Sequence, residues 1–377
     1  MKIAIISLPL SYNYGGYLQC FALMETLRKM GHEVFFLQRE NGVTQSFFKL
    51  LTNNIKSGLE RFGLGEIVYF LEIKTNKGLY YKTKNFRAFV KKYIGNISPI
   101  LKDTEYTKKY CEKKGIEAYI TGSDQIWRGK YSRSVNDAFL GFAPYQALKF
   151  SYAPSFGTNE WEFTKEQTVF IEHQLNSFKA VSVREMDGVK LLENNIRLDK
   201  NPQIVLDPTM LLSKERYLEI SRNEPLRNGV LTYILNADDK KKLFIETFCY
   251  EQGIEHYSVI NPLTNTNQIA GGQGFSIEQW LAGFRDADFV MTDSFHAVVF
   301  SIIYNKPFWV FENTERGNSR IYSLLSMFGC EDRLILKNDD YNKIDWMHPI
   351  DWTKINETKG MMVNKSVEFL KMALNND

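Results

Sequence analysis

Ala287–Asn305 reads ADFVMTDSFHAVVFSIIYN. Its apolar run Phe289–Thr292 ends in Asp293-Ser294, and a helical pattern of apolar residues follows at once. A short buried strand feeding a helix is half of a parallel α/β unit. Ser294 stands at the N-cap position, so its side chain and the first free N–H groups lie at the strand's carboxyl end. Such a spot favours anions, because unpaired amides and the helix dipole converge there. His296 falls in the first helical turn. The chain has five histidines, at 32, 173, 256, 296 and 348, and His296 alone stands in this setting. There it can bind a phosphate or carboxylate and move a proton near neutral pH. The alternative is a capped helix whose histidine packs against a neighbour.

The same alternation extends outward in both directions. Lys2–Leu8 is apolar throughout, as a central parallel strand should be. It leads through the loop Ser11–Gly16 to a helical pattern at Tyr17–Met30 and a strand at Glu33–Leu37. Gly15-Gly16 allows a tight turn there, without forming a G-x-G-x-x-G nucleotide motif. From Glu117 the alternation resumes with strands at Ala118–Thr121, Leu148–Ala153, Ala180–Val183 and Ile204–Leu206. Asp124, Ser155, Arg184 and Asp207 follow them, at the strand ends where open α/β sheets bind ligands. The polar stretch Arg222–Gly229 reads as a linker. A second unit runs through Val230–Leu235, His256–Asn261, the helix Ile277–Ala287, the opening motif, Pro307–Phe311 and helices at Ser319–Phe328 and Lys365–Leu374. The expected fold class is α/β, with two Rossmann-like doubly wound domains facing a cleft. They span residues 1–221 and 222–377, and the last helix packs back on the first domain.

Composition narrows the function. A length of 377 residues suits two domains, and 44% apolar with 24% charged residues is ordinary for a globular protein. Aromatics at 14% fit a sugar-facing protein or a large core. A net charge of +3 gives no reason to expect nucleic acid. Cys20, Cys111, Cys249 and Cys330 show neither CxxC nor Cys/His spacing, so neither a disulfide frame nor a metal site is expected. The N-terminus lacks a cleavage-site pattern and no apolar run reaches membrane-spanning length, so a cytoplasmic protein is expected. Residues 44–116 hold 15 Lys+Arg against 6 Asp+Glu, with an apolar helix face of Phe47, Phe48, Leu50, Leu51, Ile55, Leu59 and Phe62. Such a segment either lies on an anionic membrane or an acidic partner, or is a helical insertion packed on the first domain.

Beyond Pro307–Phe311 comes Glu315-Arg316-Gly317-Asn318-Ser319-Arg320. Arg316 and Arg320 would face the same cleft as His296, with Arg184 opposite. One histidine and up to three arginines suit a small, multiply charged anion, because guanidinium forks bind carboxylate and phosphate bidentately.

The chain resembles the polysaccharide pyruvyl transferases, which move the enolpyruvyl unit of phosphoenolpyruvate onto a sugar as a ketal. The resemblance rests on NYGGYLQCFAL and GHEV near the start, then TGSDQIW, SYAPSFG, SVRE, LDPTMLL, ADFVMTDSFHA and NKPFWVF in order. It implies a fold similar to the two-domain GT-B glycosyltransferases. The histidine of the family's Arg-Leu-His motif corresponds to His296, while Ser294 holds the place of the motif's arginine. Either Arg316 or Arg320 replaces that cation, or the donor is bound differently. Arg184 corresponds to the arginine of the Ser-x-Arg-Glu motif. The resemblance implies His296 as general acid or phosphate ligand, and Arg184, Ser294, Arg316 and Arg320 as donor contacts. Asp124 or Asp293 would accept the hydroxyl proton, and Asn13 and Trp127 would face the acceptor. Phosphoenolpyruvate is the donor substrate, with no cofactor or metal required. A lipid-linked or nucleotide-linked sugar is the acceptor, and a lipid-linked one would bring 44–116 to the inner face of a membrane. Two other functions compete: a GT-B glycosyltransferase using a nucleotide sugar, and a catalytically decayed carbohydrate-binding protein.

Overall fold

The computed structural model describes residues 1–10, 13–39, 84–132, 134–260, 275–313 and 318–375. The helix face expected at 47–62 and Arg316 lie outside the described residues.

The first sheet is formed by β1 (Lys2–Ile6), β2 (Glu33–Leu37), β3 (Ala118–Thr121) and β4 (Leu148–Ser151), in the order β2-β1-β3-β4. Every pairing in it is parallel. β5 (Ser182–Val183) and β6 (Gln203–Ile204) form a short parallel pair, joined to β4 by a bridge between Phe150 and Ala180. The second sheet contains β7 (Val230–Tyr233), β8 (His256–Tyr257), β9 (Phe289–Thr292), β10 (Phe308–Phe311) and β11 (Leu334–Ile335). Its order is β11-β10-β9-β7-β8, again all parallel. Helices cover both faces of the central strands, which is why Ile3–Ile6 and Phe289–Thr292 read as apolar runs without polar alternation.

Two boundaries differ from the sequence expectation. The first helix is Tyr14–Lys29, so Gly15 and Gly16 lie inside its first turn and not in a loop. Asn13 caps it, accepting the Gly15 N–H at 3.1 Å, a side-chain bond that outweighs the poor helix propensity of two glycines. The last helix is Trp352–Leu374, beginning well before Lys365. Its polar first half and Gly360 hide the apolar period, and Asp351 caps it by accepting the Lys354 N–H at 3.1 Å. Ser366 on this helix accepts the Leu206 N–H at 3.0 Å, and Phe369 packs near Tyr152, so the helix touches the first sheet's loops and neighbours. A single buried apolar cluster includes Ile3 and Ile5 of β1 as well as Val290 and Val310 of β9 and β10. No described helix is long and apolar enough to cross a membrane.

Candidate active site

At the end of β3 the chain makes a turn that only glycine allows. Gly122 has φ 132°, and a Cβ there would lie 2.0 Å from the Tyr152 carbonyl oxygen. The turn brings Asp124 to the sheet's carboxyl edge in a left-handed conformation, φ 58°, which a short polar side chain tolerates better than a bulky one. The Asp124 carbonyl accepts the Ser155 N–H at 2.8 Å, tying the loops after β3 and β4 together. Asn13 Nδ2 donates to Asp124 Oδ2 at 3.4 Å. Just after β5, Arg184 is buried among three carboxylates. Its Nη1 donates to Asp207 Oδ2 at 2.5 Å, its Nη2 lies 3.8 Å from Asp124 Oδ1, and its Nε lies 3.8 Å from Glu185 Oε2. Arg184 Nε and Nη2 and Glu185 Oε2 are enclosed yet make no hydrogen bond. Asp207 is fixed from its other side, where Oδ1 accepts from the Thr209 N–H and hydroxyl at 3.0 and 2.6 Å.

The second sheet supplies the opposite wall. Helix Phe295–Tyr304 leaves β9 with Ser294 at its N-cap, but the serine hydroxyl makes no cap bond. The Ser294 N–H donates instead to Thr292 Oγ1 at 3.0 Å. His296 is buried in the first turn, with Nε2 3.6 Å from Asp207 Oδ2 across the seam. The imidazole lies against Gly15: a Cβ there would stand 2.1 Å from His296 Nδ1. Arg320, at the start of helix Ser319–Phe328, places Nη1 3.9 Å from Asp124 Oδ1. Both arginines use Phe295, whose ring centroid lies 4.3 Å from the Arg184 guanidinium carbon and 5.5 Å from that of Arg320.

The enclosed charges shape one another. Burial alone would raise the Asp207 carboxyl, but His296, Arg184 and the Thr209 hydroxyl outweigh it and hold the group well below the usual carboxylate range. Burial pushes Glu185 up, and the pull of Arg184, Ser155 and Arg320 only partly offsets this. Arg320 is lowered to about 10, first by burial and then by Arg184 beside it, and so stays charged at neutral pH. Arg184 would be lowered by burial, but Asp207, Glu185 and Asp124 raise it. Two arginines and a histidine therefore interleave with three carboxyls at the meeting of the two sheets. Among the described residues no group of three or more His, Cys, Asp or Glu could hold a metal ion.

The sequence pattern of the polysaccharide pyruvyl transferases matches residues 13–315, a span that contains all these side chains except Arg320. The chain belongs to the polysaccharide pyruvyl transferase family. General stress protein 30 of Bacillus subtilis is 28% identical over 185 residues, which cover 47% of this chain and 50% of that protein. The chain thus matches about half the length of that curated relative. Among solved structures, the UDP-GlcNAc 2-epimerase of Methanocaldococcus jannaschii superposes with a TM-score of 0.51 at 12% identity, covering 97% of this chain and 93% of that one. A Listeria monocytogenes protein described as a UDP-N-acetylglucosamine 2-epimerase superposes with a TM-score of 0.55 at 9% identity, covering 98% and 95%. At such identities the likeness concerns the fold alone, which is α/β, two-lobed and GT-B-like.

The pyruvyl transferase fold brings His296, Ser294, Arg184, Arg320, Asp124 and Asn13 to one place. Two expected residues lie elsewhere. Asp293 is no free base: its Oδ1 accepts the Leu235 N–H at 2.6 Å, its Oδ2 accepts the Asn236 N–H at 2.9 Å, and Lys241 Nζ adds a contact at 3.4 Å. It fixes the loop after β7. Trp127 offers no face to a sugar. It is fully buried, stacked on Phe139 at 5.0 Å, with Phe156 tilted against it and Nε1 donating to the Ala138 carbonyl. Sequence reasoning missed Glu185 and Phe295 as participants. Each adjoins a residue it did find, Arg184 and His296, but pattern alone does not show that a neighbour on a tight strand end points the same way.

Proposed function

We propose that the protein transfers the pyruvyl group of phosphoenolpyruvate onto a sugar as a ketal and releases phosphate. One observation carries this reading. The buried Arg184 guanidinium has two nitrogens without hydrogen bonds, beside His296 and the unpaired amides at the start of helix Phe295–Tyr304. The charge of Arg184 is met by its carboxylate neighbours, but enclosed N–H donors without acceptors are costly unless a ligand's oxygens complete them. Phosphoenolpyruvate carries a carboxylate and a phosphate, and a bidentate guanidinium suits either.

Protonation of the donor's methylene carbon makes C2 electrophilic. A sugar hydroxyl then adds to C2, phosphate leaves, and a second hydroxyl of the same sugar closes the ketal. His296 serves as the general acid or as a ligand to the phosphate. Arg184 offsets charge on the leaving phosphate. Arg320 shares the Phe295 ring with Arg184, so it supplies the cation that Ser294 does not. Asp124, held by Asn13, accepts the hydroxyl proton. The acceptor is a sugar carried on a lipid or a nucleotide. In favour of a lipid carrier, the described part of the basic segment exposes Lys91, Lys92, Lys102, Lys108, Lys109 and Lys113, a surface suited to anionic headgroups.

Calorimetric titration with phosphoenolpyruvate, beside uridine diphosphate and a His296→Ala control, tests the donor. Binding of phosphoenolpyruvate that the substitution abolishes supports the proposal. Binding of the nucleotide alone would replace it with a glycosyltransferase.

A further inference from the structure

We infer that Asp207 is the positioning residue for His296: it lies beside Nε2 across the seam between the two sheets and fixes which ring nitrogen carries the proton. The inference rests on the donor site proposed above. Three observations carry it. First, Nε2 is enclosed, forms no hydrogen bond, and has Asp207 Oδ2 at 3.6 Å as its acidic neighbour. Second, Asp207 cannot turn away. Thr209 holds Oδ1 with two bonds, and Arg184 Nη1 holds Oδ2 at 2.5 Å. Third, the ring edge carrying Nδ1 rests on Gly15, the one residue type without a Cβ to displace it, so the imidazole is held with Nε2 toward Asp207.

The hydrogen bond that one imidazole nitrogen makes decides what the other can do. A carboxylate beside Nε2 favours the neutral tautomer with its proton there. Asp207 comes from the loop after β6 and His296 from the helix after β9, so the pairing exists only when the two sheets meet. Arg184 shares the same carboxylate oxygen, and Asp124, Glu185 and Arg320 complete the charged surroundings. Asp207 therefore sets two cleft groups at once, the arginine that would hold the anion and the histidine that would act on it.

The test uses full-length protein labelled with 15N-histidine, its His296 resonances assigned by their loss in His296→Asn. Two-bond proton–nitrogen correlation spectra, recorded where imidazoles are neutral, report which nitrogen carries the proton. The wild type and Thr209→Val, which loosens the turn but keeps the carboxylate, should show the Nε2–H form. Asp207→Asn should shift His296 toward Nδ1–H and lower kcat by roughly 100-fold, the usual weight of a positioned acid or base. An unchanged tautomer in Asp207→Asn, or an Nδ1–H wild type, overturns the inference. The spectrum needs no substrate. A tautomer switch without any phosphoenolpyruvate binding would therefore refute the donor reading and leave the Asp207–His296 pairing standing.

Discussion

Replacing Gly15 by alanine tests the seam on which the site depends. The new Cβ would lie 2.1 Å from His296 Nδ1, 2.4 Å from Cγ and 2.5 Å from Cε1. The first of these is about 1.4 Å short of the ~3.5 Å at which such atoms rest in contact. The ring is not the loose end of a flexible chain; it is buried in a helix's first turn against Phe295. Either the imidazole swings away from Asp207 or the two sheets part. Helix propensity acts the other way, since alanine in place of glycine stabilises a helix by roughly 0.5–1 kcal/mol. Overpacking costs about 1–3 kcal/mol, so the net loss should be no more than about 2.5 kcal/mol and the melting temperature should fall by only a few degrees. Function should suffer far more, because displacing a reacting group by about 1 Å costs on the order of 100-fold. Gly16→Ala is the matched control: its Cβ meets only Asn13, at 3.6 Å or beyond, and the helix gains the same propensity. Thermal melts, phosphoenolpyruvate affinity and phosphate-release kinetics should therefore separate the pair, with Gly15→Ala folded but about 100-fold impaired and Gly16→Ala unimpaired. If Gly15→Ala binds and turns over within threefold of Gly16→Ala, the ring is not held where the argument needs it.

Lys149 is buried; among the described residues its Nζ makes no hydrogen bond and faces the Tyr145 ring at 5.1 Å, and burial lowers its pKa to about 8. Unfolded, a lysine keeps its proton to about 10.5, so the unfolded chain binds more protons between those values and this residue's contribution to stability rises with pH across that window. Below pH 8 the cost is complete, and Lys149→Met should stabilise the protein at pH 7 by about 2–3 kcal/mol in denaturant melts, with the advantage shrinking toward pH 10.5; no gain at pH 7 refutes it. Asp293→Asn sets an amide against backbone N–H donors that its carboxylate now satisfies, so it should cost about 1–3 kcal/mol and leave the shape of the pH–rate profile unchanged. Loss of turnover at full stability would instead restore Asp293 as a base. Trp127→Phe should lower the melting temperature, because it removes the Nε1 bond to the Ala138 carbonyl and opens space against Phe139, while the KM for the sugar acceptor stays within twofold. A large rise in that KM without destabilisation would contradict its enclosure.

The parallel sheets were legible because burial on both faces leaves a simple mark: Ile3–Ile6 and Phe289–Thr292 contain no polar alternation to disguise them. Helix starts were harder, since a cap can override composition. Asn13 converts a glycine pair that reads as a loop into a first helical turn, and Asp351 starts a helix whose polar half carries no period. Strand ends named the place of the site, and His296, Arg184 and Asp124 do meet there. The residue types alone could not say which carboxylates were free. Asp124 and Asp293 both follow strands, but the second faces the open end of its own sheet's neighbouring loop, where two backbone amides claim it. Trp127 follows the same strand as Asp124, yet the left-handed turn at Asp124 sends the chain inward and buries the ring.

What the sequence could least disclose is the sharing of one group by two others. Asp207 belongs to the first sheet's loops, and nothing in LDPTMLL shows that its oxygen lies between Arg184 Nη1 and His296 Nε2. Phe295 likewise reads as one more apolar residue of a buried helix, but its ring stands beside two guanidinium groups from different elements. Shared partners make the site cooperative. Removing one side chain releases two others, so single substitutions at Asp207 or Phe295 should cost more than the sum of the contacts each makes. They also place a second guanidinium in the candidate site of a chain that has Ser294 where the motif has arginine. Arg320 reaches the same ring and the same carboxylate as Arg184 from the next helix, so charge lost from one element is present on its neighbour.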